Sequence, residues 1–219
     1  MKLLTESQLF PPVDVFALGL QSGEWWIEVC ENYNKGSYRN KYRIMGANGP
    51  VLLSVPLVKG KNRAMPIEDV LISYDENWQL QHIRTLKSAY GKSPFFEEYF
   101  STIREFLDKK FKYLLDLNQE ALQLMIQFAG VPIQIHQTVN YTFKDDLHTS
   151  DLLDKRDFYK AKKVQPDSHF IKYPQLFEDK HGFIPGLSIL DLLFCTGPEC
   201  IVYLKKEITR PNDIPFSKE

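Results

Sequence analysis

The chain has 219 residues, 43% of them hydrophobic and 13% aromatic, a composition that supplies a packed core and excludes an intrinsically disordered polypeptide. Its 27 Lys and Arg stand against 28 Asp and Glu for a formal net charge of -1, which excludes a wholly basic nucleic-acid coat and an acidic tail protein. No apolar run approaches the about 20 residues that cross a bilayer, and no fixed-period repeat suggests a solenoid or propeller. Residues 1–7 lack the apolar stretch of a secretory signal. Cys30, Cys195 and Cys200 are an odd set in a chain large enough to stabilise itself without staples. A cytoplasmic location is therefore expected.

Residues 2–8 read as a short extended segment, broken by Phe10-Pro11-Pro12 because proline fixes φ and removes a donor. Val13, Phe16, Ala17 and Leu20 follow at helical spacing. After the Ser22-Gly23 turn, residues 25–30 are β-rich, so the opening predicts a βαβ-like unit. Residues 38–44, the turn at Ala47-Asn48-Gly49-Pro50 and residues 51–58 predict a hairpin, since Asn-Gly tolerates the positive φ of tight turns. Residues 67–73 predict one more strand.

From Asp75 the period changes. Trp78, His82, Leu86, Ala89 and Tyr90 recur every three or four residues, and the pattern continues through Phe96, Tyr99, Ile103 and Leu107 to Leu122 and Met125. A helical block over about 76–129 is expected, with Gly91 closing one helix, Ser93-Pro94 opening the next, and Gly130 and Pro132 ending the block. Residues 133–137 return to extended structure. Residues 140–173 are polar and read as a long excursion with one helix at 150–157. Residues 188–194 and 199–205 predict two closing helices. The fold class expected is α/β: a mixed sheet with the N-terminal βαβ-like unit and hairpin, and the central helical block, all within a single domain over 1–219.

Between Glu31 and Glu68 the chain carries Lys35, Arg39, Lys41, Arg43, Lys59, Lys61 and Arg63 and no acid, so the acidic surplus lies elsewhere. On a strand over 38–44, alternation sets Arg39, Lys41 and Arg43 on one face and Tyr38, Asn40, Tyr42 and Ile44 on the other. Such a row repels itself, and an anion relieves the repulsion; arginine also matches phosphate or carboxylate with a planar fork. Solvated cations blunting an exposed strand are the alternative. Lys59-Gly60-Lys61-Asn62-Arg63 is either a solvated loop or a cationic lid. No Walker loop is present.

His82 falls on the apolar face of its helix, as a satisfied core histidine or as a general base beside the cationic strand. The remaining histidines and the Cys195/Cys200 spacing match no metal motif, so no metal and no cofactor are expected. Cys195 sits among Leu192, Leu193 and Phe194 like a small buried hydrophobe. Asp191 and Glu199 are read as an acid or a cap, and Glu28 and Glu31 as salt-link partners of the basic window.

Glu31-Asn32-Tyr33, Tyr38-Arg39-Asn40-Lys41, Ala47-Asn48-Gly49-Pro50, Leu53-Ser54-Val55-Pro56-Leu57-Val58-Lys59, Pro66 to Ile72 with Trp78 and His82, Ser88-Ala89-Tyr90, Pro94-Phe95-Phe96-Glu97, the closing run from Leu187 to Phe194 and Gly197-Pro198-Glu199 together resemble the WbqC-like protein family. The resemblance spans nearly the whole chain. It implies association with surface-polysaccharide or O-antigen synthesis and carries no family-wide reaction; Lys35, Arg39, Asn40 and His82 fall at its motif positions. The chain departs from the family at its opening loop, Ser7-Gln8-Leu9-Phe10-Pro11-Pro12, where members often show Gln-Pro-x-Tyr-Phe-Pro, and at Cys195, where they often show Asn.

The function expected is binding of a phosphorylated or nucleotide-activated sugar, with or without group transfer. His82 is the base or ligand, and Lys35, Tyr38, Arg39, Asn40, Lys41, Arg43 and Lys59 are the ligand-binding set. Two alternatives stay open: a non-catalytic protein docking an acidic partner, and, less favoured, a single-stranded nucleic-acid binder using Tyr33, Tyr38 and Tyr42.

Overall fold

The computed structural model describes residues 2–58, 65–142, 152–159 and 170–206. Strand β1 (Lys2–Glu6), helix α1 (Val13–Ser22) and strand β2 (Glu24–Glu28) form the expected βαβ unit, with β1 and β2 parallel and in register from Lys2 opposite Glu24 to Glu6 opposite Glu28. β1 is buried along nearly its whole length, as a parallel strand covered on both faces must be. Gly19 lets α1 lie on β2: a Cβ there would stand 2.1 Å from Cε3 of Trp25, whose indole Nε1 donates to Thr5 Oγ1 at 2.8 Å.

The hairpin is β3 (Lys41–Gly46) with β4 (Gly49–Ser54), antiparallel and separate from the parallel sheet. Its turn falls within the expected Ala47–Pro50 segment, at Ala47-Asn48 between the paired Gly46 and Gly49, and Gly49 adopts φ 118. The first strand begins at Lys41, three residues later than the sequence suggests. Residues 37–40 instead form a turn: Ser37 Oγ donates to the Asn34 carbonyl at 2.7 Å and accepts from the Arg39 N–H at 3.4 Å, a local alternative to ladder pairing. Residues 67–73 also differ from the expected strand. A 3-10 turn occupies Ile67–Asp69, and residues 70–73 make only isolated bridges, Leu57 with Ile72 and Leu71 with Tyr113.

The helical block is α2 (Trp78–Tyr90), α3 (Phe96–Asp108) and α4 (Leu114–Ala129). Asn77 caps α2 by accepting from the Leu80 N–H, and Gly130 ends α4 in the left-handed conformation. Strand β5 (Gln134–Gln137) then joins β2 in parallel. The helix expected at 150–157 is not formed among the described residues: Leu152–Asp154 is strand β6, parallel to β1. Pairing with an open sheet edge outweighs the weak helical pattern of so short a polar run. After the short α5 (Glu178–His181), α6 (Ile189–Thr196) is apolar nearly all round and packs among α1, α3, α4 and β3, with α7 (Cys200–Leu204) beyond it. Ser188 caps α6 by accepting from the Leu190 N–H at 3.2 Å.

The sheet order is β5-β2-β1-β6. The chain first builds outward from β1 through β2 to β5 and then returns to the other side of β1 as β6. The direction of build-up therefore reverses between β1 and β6, and all four strands end on one edge. In open parallel sheets that edge, at the reversal, is where ligands bind.

Candidate functional site

At the reversal point the strand ends carry charge. Glu6 closes β1, Glu28 closes β2 and Asp154 closes β6. Arg39, delivered by the turn before β3, is 1% exposed and extends into this group. Its Nε donates to Glu31 Oε1 at 2.8 Å and its Nη2 to Glu31 Oε2, while Nη1 donates to Asp157 Oδ1 at 2.7 Å. Glu6 lies close enough for its charge to act on Arg39; it accepts from Gln8 Nε2 at 2.7 Å and from the Asp157 N–H at 2.9 Å. A second guanidinium, that of Arg156, forms a fork on Asp154 and reaches Glu28 Oε2 at 3.0 Å. Glu28 also accepts from Thr138 Oγ1 at 2.6 Å and the Cys30 N–H at 3.0 Å.

Three carboxylates thus surround one guanidinium, and burial acts first on the two buried ones, Glu6 and Glu31. Desolvation raises Glu6, against the opposing charge of Arg39. Desolvation also raises Glu31 to about 7; its bonds to Arg39 pull it down, and the neighbouring Glu6 and Asp157 charges push it up again. Arg39 stays charged, because the carboxylates outweigh its own burial. Glu6 and Glu31 are thereby coupled to one another and to Arg39. It opens to solvent in a cavity of about 430 Å³ lined by Cys30, Glu31, Tyr33, Asn34, Arg39 and Asp157 among others.

The predicted ligand set is divided by the fold. Arg39 is at the site, but its charge is already met by carboxylates, which corrects the expectation of an uncompensated cationic row. Lys41 and Arg43 share a half-buried face of β3, opposite the buried Tyr42 and Ile44, as alternation requires; Arg39 precedes that strand and does not extend the row. Asn40 is buried, accepting from Tyr33 OH at 3.0 Å and donating to the Val55 carbonyl at 2.8 Å. Tyr38 is buried against Tyr159, ring centroids 6.0 Å apart; burial raises its pKa, with the Arg43 charge partly opposing. Lys35 is exposed next to Asn34. Lys59 lies outside the described residues.

His82 is 1% exposed and stands in the core between α2 and the hairpin. Its Nε2 faces the Ser54 carbonyl at 3.3 Å and its Nδ1 the Tyr42 hydroxyl at 3.1 Å. With a carbonyl as one partner, Nε2 carries the proton and Nδ1 accepts from Tyr42. Burial lowers its pKa to about 4, with the Ser54 carbonyl partly opposing, so the ring is neutral at physiological pH. Asp191 is likewise a core group, accepting from Tyr90 OH at 2.5 Å and Tyr173 OH at 2.8 Å, with burial raising it to about 6. Burial also raises the Cys195 thiol.

The sequence reading missed Glu6, Gln8, Asn118, Arg156 and Asp157. One signal was present: Thr5-Glu6-Ser7-Gln8 puts polar residues at the end of a strand that is otherwise apolar, which is where a parallel sheet keeps its site. Glu31 is a salt-link partner of the basic window, as the sequence predicts. Glu28 pairs instead with Arg156. Among the described residues no helix is long and apolar enough to cross a membrane, and no group of three His, Cys, Asp or Glu is arranged to hold a metal.

Comparison with known proteins agrees with the motif resemblance. The chain is 25% identical over 195 residues to a protein of Mycobacterium tuberculosis described as "Uncharacterized protein Rv1507c", covering 79% of this chain and 84% of that one. No solved structure matches the chain. The sequence profile described as the WbqC-like protein family matches residues 6–164 and 147–203, and the chain belongs to that family.

Proposed function

We propose that the protein binds a nucleotide-activated or otherwise phosphorylated sugar at the Arg39–Glu31 opening and serves surface-polysaccharide synthesis as a transferase or as a ligand carrier. The family association supports the pathway, and one observation carries the site. Glu31 locks Nε and Nη2 of Arg39 from within, whereas Nη1 is closed by Asp157, whose side chain is 38% exposed. Asp157 sits at φ 55, a left-handed conformation that is uncommon outside glycine and best tolerated by Asp and Asn. In this reading the Asp157 carboxylate holds the place of a ligand phosphate, which displaces it and takes the Nη1 donor. Lys35, exposed beside Asn34, supplies a second positive charge.

In this reading Glu31 keeps both carboxylate oxygens on Arg39 and positions its guanidinium for the phosphate. His82 holds the hairpin to α2 instead, both of its ring nitrogens being engaged.

Calorimetric titration of the wild type and of Asp157→Asn with a nucleotide sugar and with inorganic pyrophosphate tests the site. Asn keeps the backbone conformation and removes the competing charge, so affinity is expected to rise about tenfold, worth about 1.4 kcal/mol. Lower affinity in Asp157→Asn, or no binding by either protein at millimolar ligand, overturns the reading.

A further inference from the structure

A second cavity, of about 290 Å³, opens on the same edge of the sheet, between the ends of β1, β2 and β5 and the first turns of α4. Its volume is just below the about 300–1,000 Å³ usual for small-molecule sites, suited to one ring and not to a dinucleotide. The wall carries the amides of Gln8, Asn118, Gln119, Gln123 and Gln137, the carboxylates of Asp116 and Glu120 and the ring of Phe111, and none of its lining residues is Lys or Arg.

Two of these amides have an unmet acceptor. Gln8 and Asn118 are more than nine-tenths buried, and Gln8 Oε1 and Asn118 Oδ1 have no hydrogen-bond partner. Their orientations are set from behind. The Asn118 Nδ2 donates to the Arg39 carbonyl at 2.8 Å and to Ser7 Oγ at 3.1 Å, and the Gln8 Nε2 donates to Glu6 Oε1 at 2.7 Å. The N–H ends are thereby committed, that of Gln8 to Glu6 and that of Asn118 to the Arg39 backbone and the Ser7 hydroxyl, and it is the oxygens that lack a donor. A buried acceptor without a donor is a standing penalty that only a donor relieves. Phosphate brings acceptors alone and is disfavoured here; hydroxyl groups bring donors, and Phe111 offers an apolar surface to the C–H face of a ring.

We propose that this cavity seats the uncharged, polyhydroxylated ring of the ligand, with its hydroxyls donating to Gln8 Oε1 and Asn118 Oδ1. The inference rests on the reading of the Arg39 opening as the seat of the phosphate end. It adds a division of labour: the charged end meets Arg39 and the neutral sugar meets the amides, with Gln8 and Asn118 bridging the two.

The test uses the full chain and two separate probes, a neutral free hexose and inorganic pyrophosphate, titrated against the wild type, Gln8→Met and Gln119→Ala and followed by ligand-observed NMR. Gln119→Ala is a half-buried change on a helix with a strong helix former, so it remains informative if Gln8→Met fails to fold. Hexose affinity is expected to fall about tenfold in both variants, while pyrophosphate affinity in Gln119→Ala stays at the wild-type value. Hexose binding that neither variant weakens, or no hexose binding at millimolar concentration, overturns the inference. Pyrophosphate bound without hexose discards this cavity and keeps the Arg39 reading; hexose bound without pyrophosphate keeps the cavity as a sugar site and discards the Arg39 reading.

Discussion

Asn118, on the first turns of α4, donates its amide to the backbone carbonyl of Arg39 at 2.8 Å, across 79 residues of sequence. The helical block thereby fixes the turn that carries the central guanidinium of the site. α4 also contacts the 3-10 turn that comes after the basic window, so the geometry of Arg39 depends on packing far from the sheet it serves.

The carboxylates around Arg39 give the fold a pH dependence whose sign is determined by burial. Glu31 has its folded pKa raised from 4.5 to about 7, so between those values the native state binds more protons than the unfolded chain. Stability attributable to this group is complete below pH 4.5 and declines as pH rises through 7, with a slope of at most about 1.4 kcal/mol per pH unit. Glu31→Gln mimics the protonated form. In urea denaturation at a series of pH values, the variant is expected to lose less stability than the wild type between pH 5 and pH 8, so that the gap between the two shifts in the variant's favour. Parallel profiles would show that Glu31 keeps an ordinary carboxyl pKa.

His82 acts with the opposite sign. Its folded pKa is depressed from 6.5 to about 4, so the unfolded chain binds the extra proton in that window, and stability falls as pH drops. Between pH 7.5 and 5 the loss from this group is about 2 kcal/mol. His82→Gln is expected to be less stable than the wild type at pH 7.5 and to have recovered about that amount relative to it by pH 5. A constant difference across the range would sink the assignment of a neutral, buried imidazole.

Gly19→Ala is expected to destabilise the chain by about 1–3 kcal/mol, the usual range for overpacking, because its methyl would overlap the Trp25 ring that α1 rests on. Glycine's φ freedom is not at issue here; the close approach of helix to strand is. Pairing Gly19→Ala with Trp25→Leu isolates the cause. If steric overlap is responsible, the double variant costs less than the sum of the two single changes; additive losses in thermal denaturation would reject it.

Much of the architecture was legible because it is encoded locally. The Pro11-Pro12 break, the helical spacing from Val13, the turn between Gly46 and Gly49 and the Ser188, Gly91 and Gly130 boundaries all act within a few residues of themselves. Strand β6 was not legible: three residues after a polar run have no periodicity to read, and they become a strand because β1 offers an unpaired edge. The same limit governed the site. Alternation correctly set Lys41 and Arg43 on one face, but it extended the strand back over Arg39, where the Ser37 hydroxyl competes for the backbone.

The sequence alone determined the family, the α/β order of elements, the helical block and the presence of a cationic window with Arg39 in it. Only the tertiary structure decided that Arg39 is matched by Glu31 and Asp157, that His82 is a core histidine, and that the charged cluster proposed as the site gathers where β1 and β6 end. The physical reason is range. Caps, turns and hydrophobic period are set by neighbours along the chain, whereas the charge state of a buried group depends on every carboxylate the fold brings within a few ångströms, whatever its distance in sequence.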